Sequence, residues 1–197
     1  MASVLVSEVE HDVRRLLTTL VRRHGHEAIV LEPEVVVPPR ADVMLVDPYA
    51  RAIEGEFVHN PASDAYSSVD SAPYLPGSLI VHDAFPWGDD HRRRIPWDDT
   101  VIYELHVRGF TMKHPGIPPE LRGTYAGLAH PAAIDYLTGL GVTAVELMPI
   151  HHFVTEPAVQ QRGLRNYWGY NSIGFFAPHE AYSSRRGNQV REFKSMV

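Results

Sequence analysis

The stretch PAAIDYLTGLGVTAVELMPI, residues 131–150, does most to limit the folds open to this chain. Pro131 suits a first helical turn and Gly141 the position just past a last one, so residues 131–141 read as a helix. Residues 142–150 then run almost wholly apolar, as a strand covered on both faces does. A helix feeding directly into such a strand belongs to a parallel sheet. The run TVIYELHVRGF, residues 100–110, supplies an earlier strand. A long loop is expected over about 151–186, and GNQVREFKSMV then opens a further helix. The fold class is therefore α/β, with two β/α units opening a (β/α)8 TIM-type barrel.

Upstream of residue 100 the character differs. The apolar run VLVS at 4–7 and the segment EAIVL at 27–31 read as strands, and VMLV at 43–46 as a third. Between the first two, Val13, Leu16, Leu17, Leu20 and Val21 recur at helical spacing, with Asp12 to cap the start and Gly25 the end. That order looks like the opening of a doubly wound sheet. Residues 55–99 carry Pro61, Pro73, Pro76, Pro86 and Pro96 without sustained periodicity, a loop-rich connector with one short strand at GSLIVHD. Three stretches result: an α/β segment at 1–47, a connector at 48–99, and the barrel-like part at 100–197.

Composition narrows the function classes. With 44% hydrophobic and 21% charged residues in 197, the chain is that of a globular protein. A net charge of -6 argues against a nucleic-acid surface, and the basic run at 91–94 is flanked by Asp89, Asp90, Asp98 and Asp99. The absence of cysteine excludes a disulfide framework, a thiol nucleophile and a Cys-ligated metal. No apolar run approaches the roughly 18 residues of a membrane span. Acidic residues stand near the N-terminus where a secretion signal would be basic, so the expectation is a cytoplasmic protein with no membrane partner.

The segment LRNYWGYN, residues 164–171, carries the most chemistry. Tyr167, Trp168 and Tyr170 around one glycine, with Asn171 beside them, suit a sugar: pyranose C–H faces stack on aromatic rings and amides pair with the hydroxyl rim. On composition alone the first reading is that Tyr167, Trp168 and Phe175 merely pack the loop, since aromatics fill cores as readily as sites. Barrel sites form at the C-terminal ends of strands, where this loop would lie. Asp47 and Glu54 could be taken for an acid pair, but nothing in the spacing sets them the required ~5 Å apart, and turn and surface roles fit better. His151 and His152 are adjacent on a strand and point to opposite faces, which disfavours one shared metal. GTYAGLAH, residues 123–130, lacks the spacing of a phosphate loop.

Two resemblances add to this. The strand VLVSEVE, the helix DVRRLLTTLVRRHGHEA and the strand DVMLVD resemble the first half of a response-regulator receiver domain. That resemblance places Glu8 and Glu10 near the family's magnesium-binding acids, with Val9 departing from the pattern, and Asp47 at the phosphoacceptor. The threonine- and lysine-bearing strands of that family do not follow. From about residue 45 onward, YELHVRGFT, GVTAVELMP and NYWGYN, with VDPYARAIEGE upstream, resemble bacterial glycogen debranching enzymes of the isoamylase type, in the α-amylase superfamily.

The second resemblance implies hydrolysis of α-1,6 branch linkages in an α-glucan by a retaining mechanism without a cofactor or metal. It places Tyr170 on the sugar beside the scissile bond, with Asn171, Tyr167 and Trp168 shaping that subsite. It leaves His106 and Arg108 as structural positions. The family's three catalytic carboxylates match no residue here, so the expectation is a fragment without debranching activity of its own, self-associating through open barrel edges. With the receiver's remaining machinery missing, Asp47 is expected to be a turn residue. Two other readings stand beside the debranching fragment: a degenerate receiver phosphorylated at Asp47 whose C-terminal part only binds glucan, and a fusion without selected function.

Overall fold

The computed structural model describes residues 3–6, 27–30, 46–63, 67, 69–82 and 84–197. Strands β1 (Ser3–Val6) and β2 (Glu27–Val30) pair in parallel, Ser3 opposite Glu27. The expected helix between them and most of the expected strand at 43–46 lie outside the described residues, as do Glu8, Val9 and Glu10.

Strand β3 (Ala52–Glu54) runs antiparallel to β4 (Gly77–Leu79), so the expected strand in GSLIVHD is only its first three residues. Its partner β3 carries no strand signal of its own. Strand β5 (Ile102–Leu105) leads into the short helix α1 (Val107–Thr111), then α2 (Tyr125–Leu128) and α3 (Pro131–Gly139). Strand β6 (Ala144–Leu147) returns parallel to β5, Ile102 opposite Ala144 and Leu105 opposite Leu147. This β-α-β return is the unit expected from the sequence.

Three expectations need correction. The strand predicted over 100–110 ends at Leu105, because the His106 side chain accepts the Gly109 N–H and caps α1. Strand β6 is not covered on both faces: Val145 and Glu146 are exposed. The loop expected over 151–186 is in large part ordered into elements. Strand β7 (His151–Phe153), helix α4 (Pro157–Gln160) and strand β8 (Ser172–Pro178) lie within it, β7 and β8 pairing antiparallel with an irregular register. Helix α5 (Gln189–Met196) follows. Among the described residues the sheets are two-stranded and none closes into a barrel.

The main core gathers Leu105, Val107, Tyr125, Leu128, Leu137, Phe153 and Tyr182, with Phe193 and Met196 of α5 packed against it. Tyr125 is fully buried at its centre and donates its hydroxyl to the carbonyls of His179 and Ile150, at 3.2 and 3.4 Å. Burial pushes its hydroxyl pKa well above 10.0. Helix α2 fits there because Gly127 has no side chain: a Cβ would collide with the Leu121 carbonyl oxygen. The glycine spacing in 123–130 thus serves close packing.

A second, smaller cluster ties the connector to the rest. Ile53 of β3 is fully buried with Ala50 and Ala177 of β8, and its carbonyl accepts from Gln189 Nε2 at 3.2 Å. Gly55 N–H donates to Glu180 Oε2 at 3.0 Å, and Gln160 Nε2 donates to the Phe57 carbonyl at 2.7 Å.

Candidate functional site

The loop 164–171 is shaped by Asn166. Its amide donates to the Val154 carbonyl (3.3 Å) and the Glu156 carboxylate (3.2 Å), and its Oδ1 accepts the Gly169 N–H at 2.9 Å. Its own N–H donates to Thr155 Oγ1 at 3.2 Å. Gly169 takes φ of 83°, and a Cβ there would sit 3.0 Å from the Phe153 ring and 3.1 Å from the Pro149 carbonyl oxygen. A left-handed backbone with no room for a side chain needs glycine. The turn it makes separates Tyr167 from Tyr170.

Tyr170 and Asn171 border an open cavity of about 510 Å³ with Leu147, Met148 and Pro149, at the C-terminal end of β6. His151, Ser172, Phe175, Glu104 and Glu146 complete its walls. Tyr170 is 67% exposed and stands beside the Asn171 amide, an aromatic side chain open to stacking. Glu104 and Glu146 are register partners on β5 and β6, so two carboxylates stand side by side on one wall. An open cleft with an aromatic platform, an amide and carboxylates fits a polyhydroxylated ligand.

Tyr167 lies elsewhere. It lines a second cavity of about 490 Å³ with His106, Arg108, His152, His179 and Tyr182. Its ring stacks on His106 with centroids 4.3 Å apart, and its carbonyl meets His106 Nε2 at 2.6 Å. Nδ1 of His106 accepts the Gly109 N–H, so the proton of a neutral ring sits on Nε2 and is donated to Tyr167. Trp168 is 62% exposed and borders neither cavity. The four residues singled out in the sequence thus divide: Tyr170 and Asn171 together, Tyr167 and Trp168 apart from them. Glu104 and Glu146 join the Tyr170 cavity unmarked by the sequence, since sheet register brings them there, and His151, weighed in the sequence only as a metal ligand, borders it too.

The second cavity holds two neighbouring histidines, His152 buried and His179 half-buried. His152 is 2% exposed, and burial lowers its pKa from 6.5 to about 4 despite the opposing charge of Glu180. His179, its ring 5.1 Å away, is lowered to about 3 by burial first, then by His152 and Arg108. Burial raises the Tyr182 hydroxyl to about 12, with Arg108 opposing and Tyr167 adding to the shift. His151 and His152 line different cavities. Among the described residues no group of three or more His, Asp or Glu is placed to hold a metal.

The remaining sequence candidates take structural places. Asp47 Oδ1 accepts the Tyr49 N–H at 2.9 Å and its carbonyl the Ala50 N–H at 3.0 Å, an Asx turn at the entry to β3. Glu54 pairs with Arg186 at 3.1 Å.

Known proteins share this architecture. The chain is 49% identical over 167 residues to the glycogen operon protein GlgX homolog of Mycobacterium bovis, which covers 78% of this chain and 23% of that relative. The homolog from Mycobacterium tuberculosis matches equally. Among solved structures, pullulanase from Anoxybacillus complexed with maltotriose is 26% identical with a TM-score of 0.55, over 77% of this chain and 21% of that one. Pullulanase type I from Bacillus subtilis complexed with maltose is 25% identical with a TM-score of 0.55, over 77% of this chain and 20% of that one. No family model matches. The likeness is to debranching-type glycoside hydrolases. The chain spans about a quarter of the length of the curated relatives it matches, 23%. Among the described residues no helix is long and apolar enough to cross a membrane.

Proposed function

We propose that this chain supplies one wall of an α-glucan-binding cleft of the isoamylase-type debranching glycoside hydrolases, acting on glycogen or its limit dextrins in the cytoplasm. Tyr170 is the stacking platform for a glucosyl ring and Asn171 its hydrogen-bonding partner, while Trp168 offers a second exposed ring along the same loop. Tyr167 does not border this cleft and acts only through the loop, which its stack on His106 anchors. The observation that carries this reading is the exposed Tyr170 ring beside Asn171 at the C-terminal end of β6, where parallel β/α folds place their ligands. The relatives support the ligand class: a glycogen operon protein and pullulanases solved with maltotriose and maltose.

For the chain by itself the reading is binding without hydrolysis. The carboxylates that line this cavity, Glu104 and Glu146, share one wall, whereas a retaining pair must flank the scissile bond. The deciding experiment is a titration of the 197-residue chain with maltohexaose by calorimetry, alongside Tyr170→Ala and Asn171→Ala. Saturable binding by the parent chain that drops at least tenfold in Tyr170→Ala is expected. No binding, or equal binding in both, removes the reading. Release of linear maltooligosaccharides from glycogen would overturn the claim that the chain does not hydrolyse.

A further inference from the structure

The second cavity shares no lining residue with the glucan cleft. Most of its polar groups are satisfied within the protein. Glu180 accepts from Gly55 N–H and from Arg186 Nε, at 3.0 and 3.1 Å. Arg165 pairs with Glu56 at 3.2 Å. Gln160 is held at both ends, by His59 N–H at 3.2 Å and the Phe57 carbonyl at 2.7 Å. Two lining groups are left over: Arg108 Nε and His152 Nδ1 are buried and have no hydrogen-bond partner.

The charges point the same way. Three arginines line the cavity against two glutamates, Glu56 and Glu180, and each glutamate already has its own arginine. Among the described residues Arg108 has no carboxylate partner. His152 and His179 beside it stay neutral at pH 7, so they add no compensating or competing charge. A guanidinium without a carboxylate partner and with a buried, unbonded Nε–H is costly, and an anion that accepts from it offsets that cost.

We propose that this cavity binds a small oxyanion, the phosphoryl or carboxylate group of a metabolite, on Arg108 and His152. Arg108 supplies the positive charge and the Nε–H donor. His152 supplies a second donor from Nδ1 in the tautomer that carries its proton there. The volume of about 490 Å³ leaves room beside the oxyanion for a sugar-sized remainder, which would lie against Tyr182 and Tyr167. The site stands independently of the glucan reading, because neither Arg108 nor His152 borders the cleft of Tyr170.

Calorimetric titration of the 197-residue chain with inorganic phosphate, acetate and glucose, at matched ionic strength, tests it. Saturable one-to-one binding of phosphate or acetate is expected, and none of glucose; the stronger of the two anions names the group. Arg108→Gln is expected to reduce the affinity at least tenfold and His152→Phe several-fold, while Arg165→Gln, at the exposed rim, leaves it within twofold. Should Arg108→Gln fail to fold, Arg108→Lys keeps the charge without the Nε–H and is expected to weaken binding at least threefold. Absence of saturable anion binding by the parent chain overturns the proposal. So does binding that survives the Arg108 substitutions, or that depends on Arg165 instead.

Discussion

The ring of His106 lies flat on that of Tyr167, centroids 4.3 Å apart and planes 5° apart, while its Nε2 donates to the Tyr167 carbonyl at 2.6 Å. Its other nitrogen caps α1 through the Gly109 N–H at 3.0 Å. One side chain therefore ends β5, starts α1 and fixes the loop that presents Tyr170. His106→Ala loses a cap, a tether and a stack, each worth about 1 kcal/mol, so urea denaturation should show a loss of about 2–3 kcal/mol. His106→Asn restores a capping side chain without reaching Tyr167 and should recover roughly 1 kcal/mol of that. Equal losses in the two variants would show that the cap contributes nothing.

Gly169 sets the direction in which Tyr170 leaves the loop. Gly169→Ala puts a side chain at φ of 83° and within 3.1 Å of the Pro149 carbonyl oxygen. The left-handed conformation alone costs about 1–2 kcal/mol, and the contact with backbone adds to it. A lower thermal midpoint together with weakened maltohexaose binding is expected. Unchanged binding with lowered stability would separate the turn from the presentation of Tyr170.

What the sequence made legible follows the range over which each signal acts. Helix α3 was readable because Pro131 and the glycine at 141 act within their own turns, and the structure adds only that His130 Nδ1 takes the Ala132 N–H at 3.2 Å. The break at His106 was hidden because an alternating apolar pattern continues through it while a side-chain cap does not show in periodicity. Strand β8 was missed for a different reason: SIGFFAP carries Gly174 in its interior and ends on Pro178, which weakens the strand signal, and its antiparallel partner β7 lies across a loop that Asn166 holds. The burial of Ile53 depends on Gly174, where a Cβ would come within 2.5 Å of its Cδ1. That complementarity spans more than a hundred residues. The aromatic motif singles out one loop, and the φ of one glycine decides which of its rings share a cavity.

The histidine pair makes stability fall in mild acid. Both folded pKa values, about 4 for His152 and about 3 for His179, lie below the ordinary 6.5. Between those limits the unfolded chain binds protons that the folded chain refuses, so stability is full above pH ~6.5 and declines as pH drops. Two such groups give a slope of at most about 2.7 kcal/mol per pH unit near pH 5. Urea midpoints measured from pH 7.5 to 4.5 check this. His152→Phe should flatten the slope to about half, and an unchanged slope would place the acid sensitivity elsewhere.

Glu192 contributes lower on the scale. Its carboxylate accepts from Ser183 Oγ (2.9 Å), Ser184 N–H (2.9 Å), Ser184 Oγ (2.7 Å) and Arg185 N–H (3.2 Å), gathering the turn before α5. Burial by itself raises its pKa, but these four donors favour the charged form, and the net shift is below 4.5. A depressed folded pKa means the stabilisation is complete above the unfolded value and is lost as pH falls through the folded one. Glu192→Gln keeps the shape and removes the charge, so it should cost about 2 kcal/mol at pH 7, in line with a charge-assisted hydrogen bond. The gap between the variant and the parent chain should then close as the parent's carboxylate takes up its proton. Differential scanning at pH 7 and at successively lower pH follows the gap, and a gap that stays constant as the carboxylate is protonated would assign the loss to packing of the turn and not to the charge.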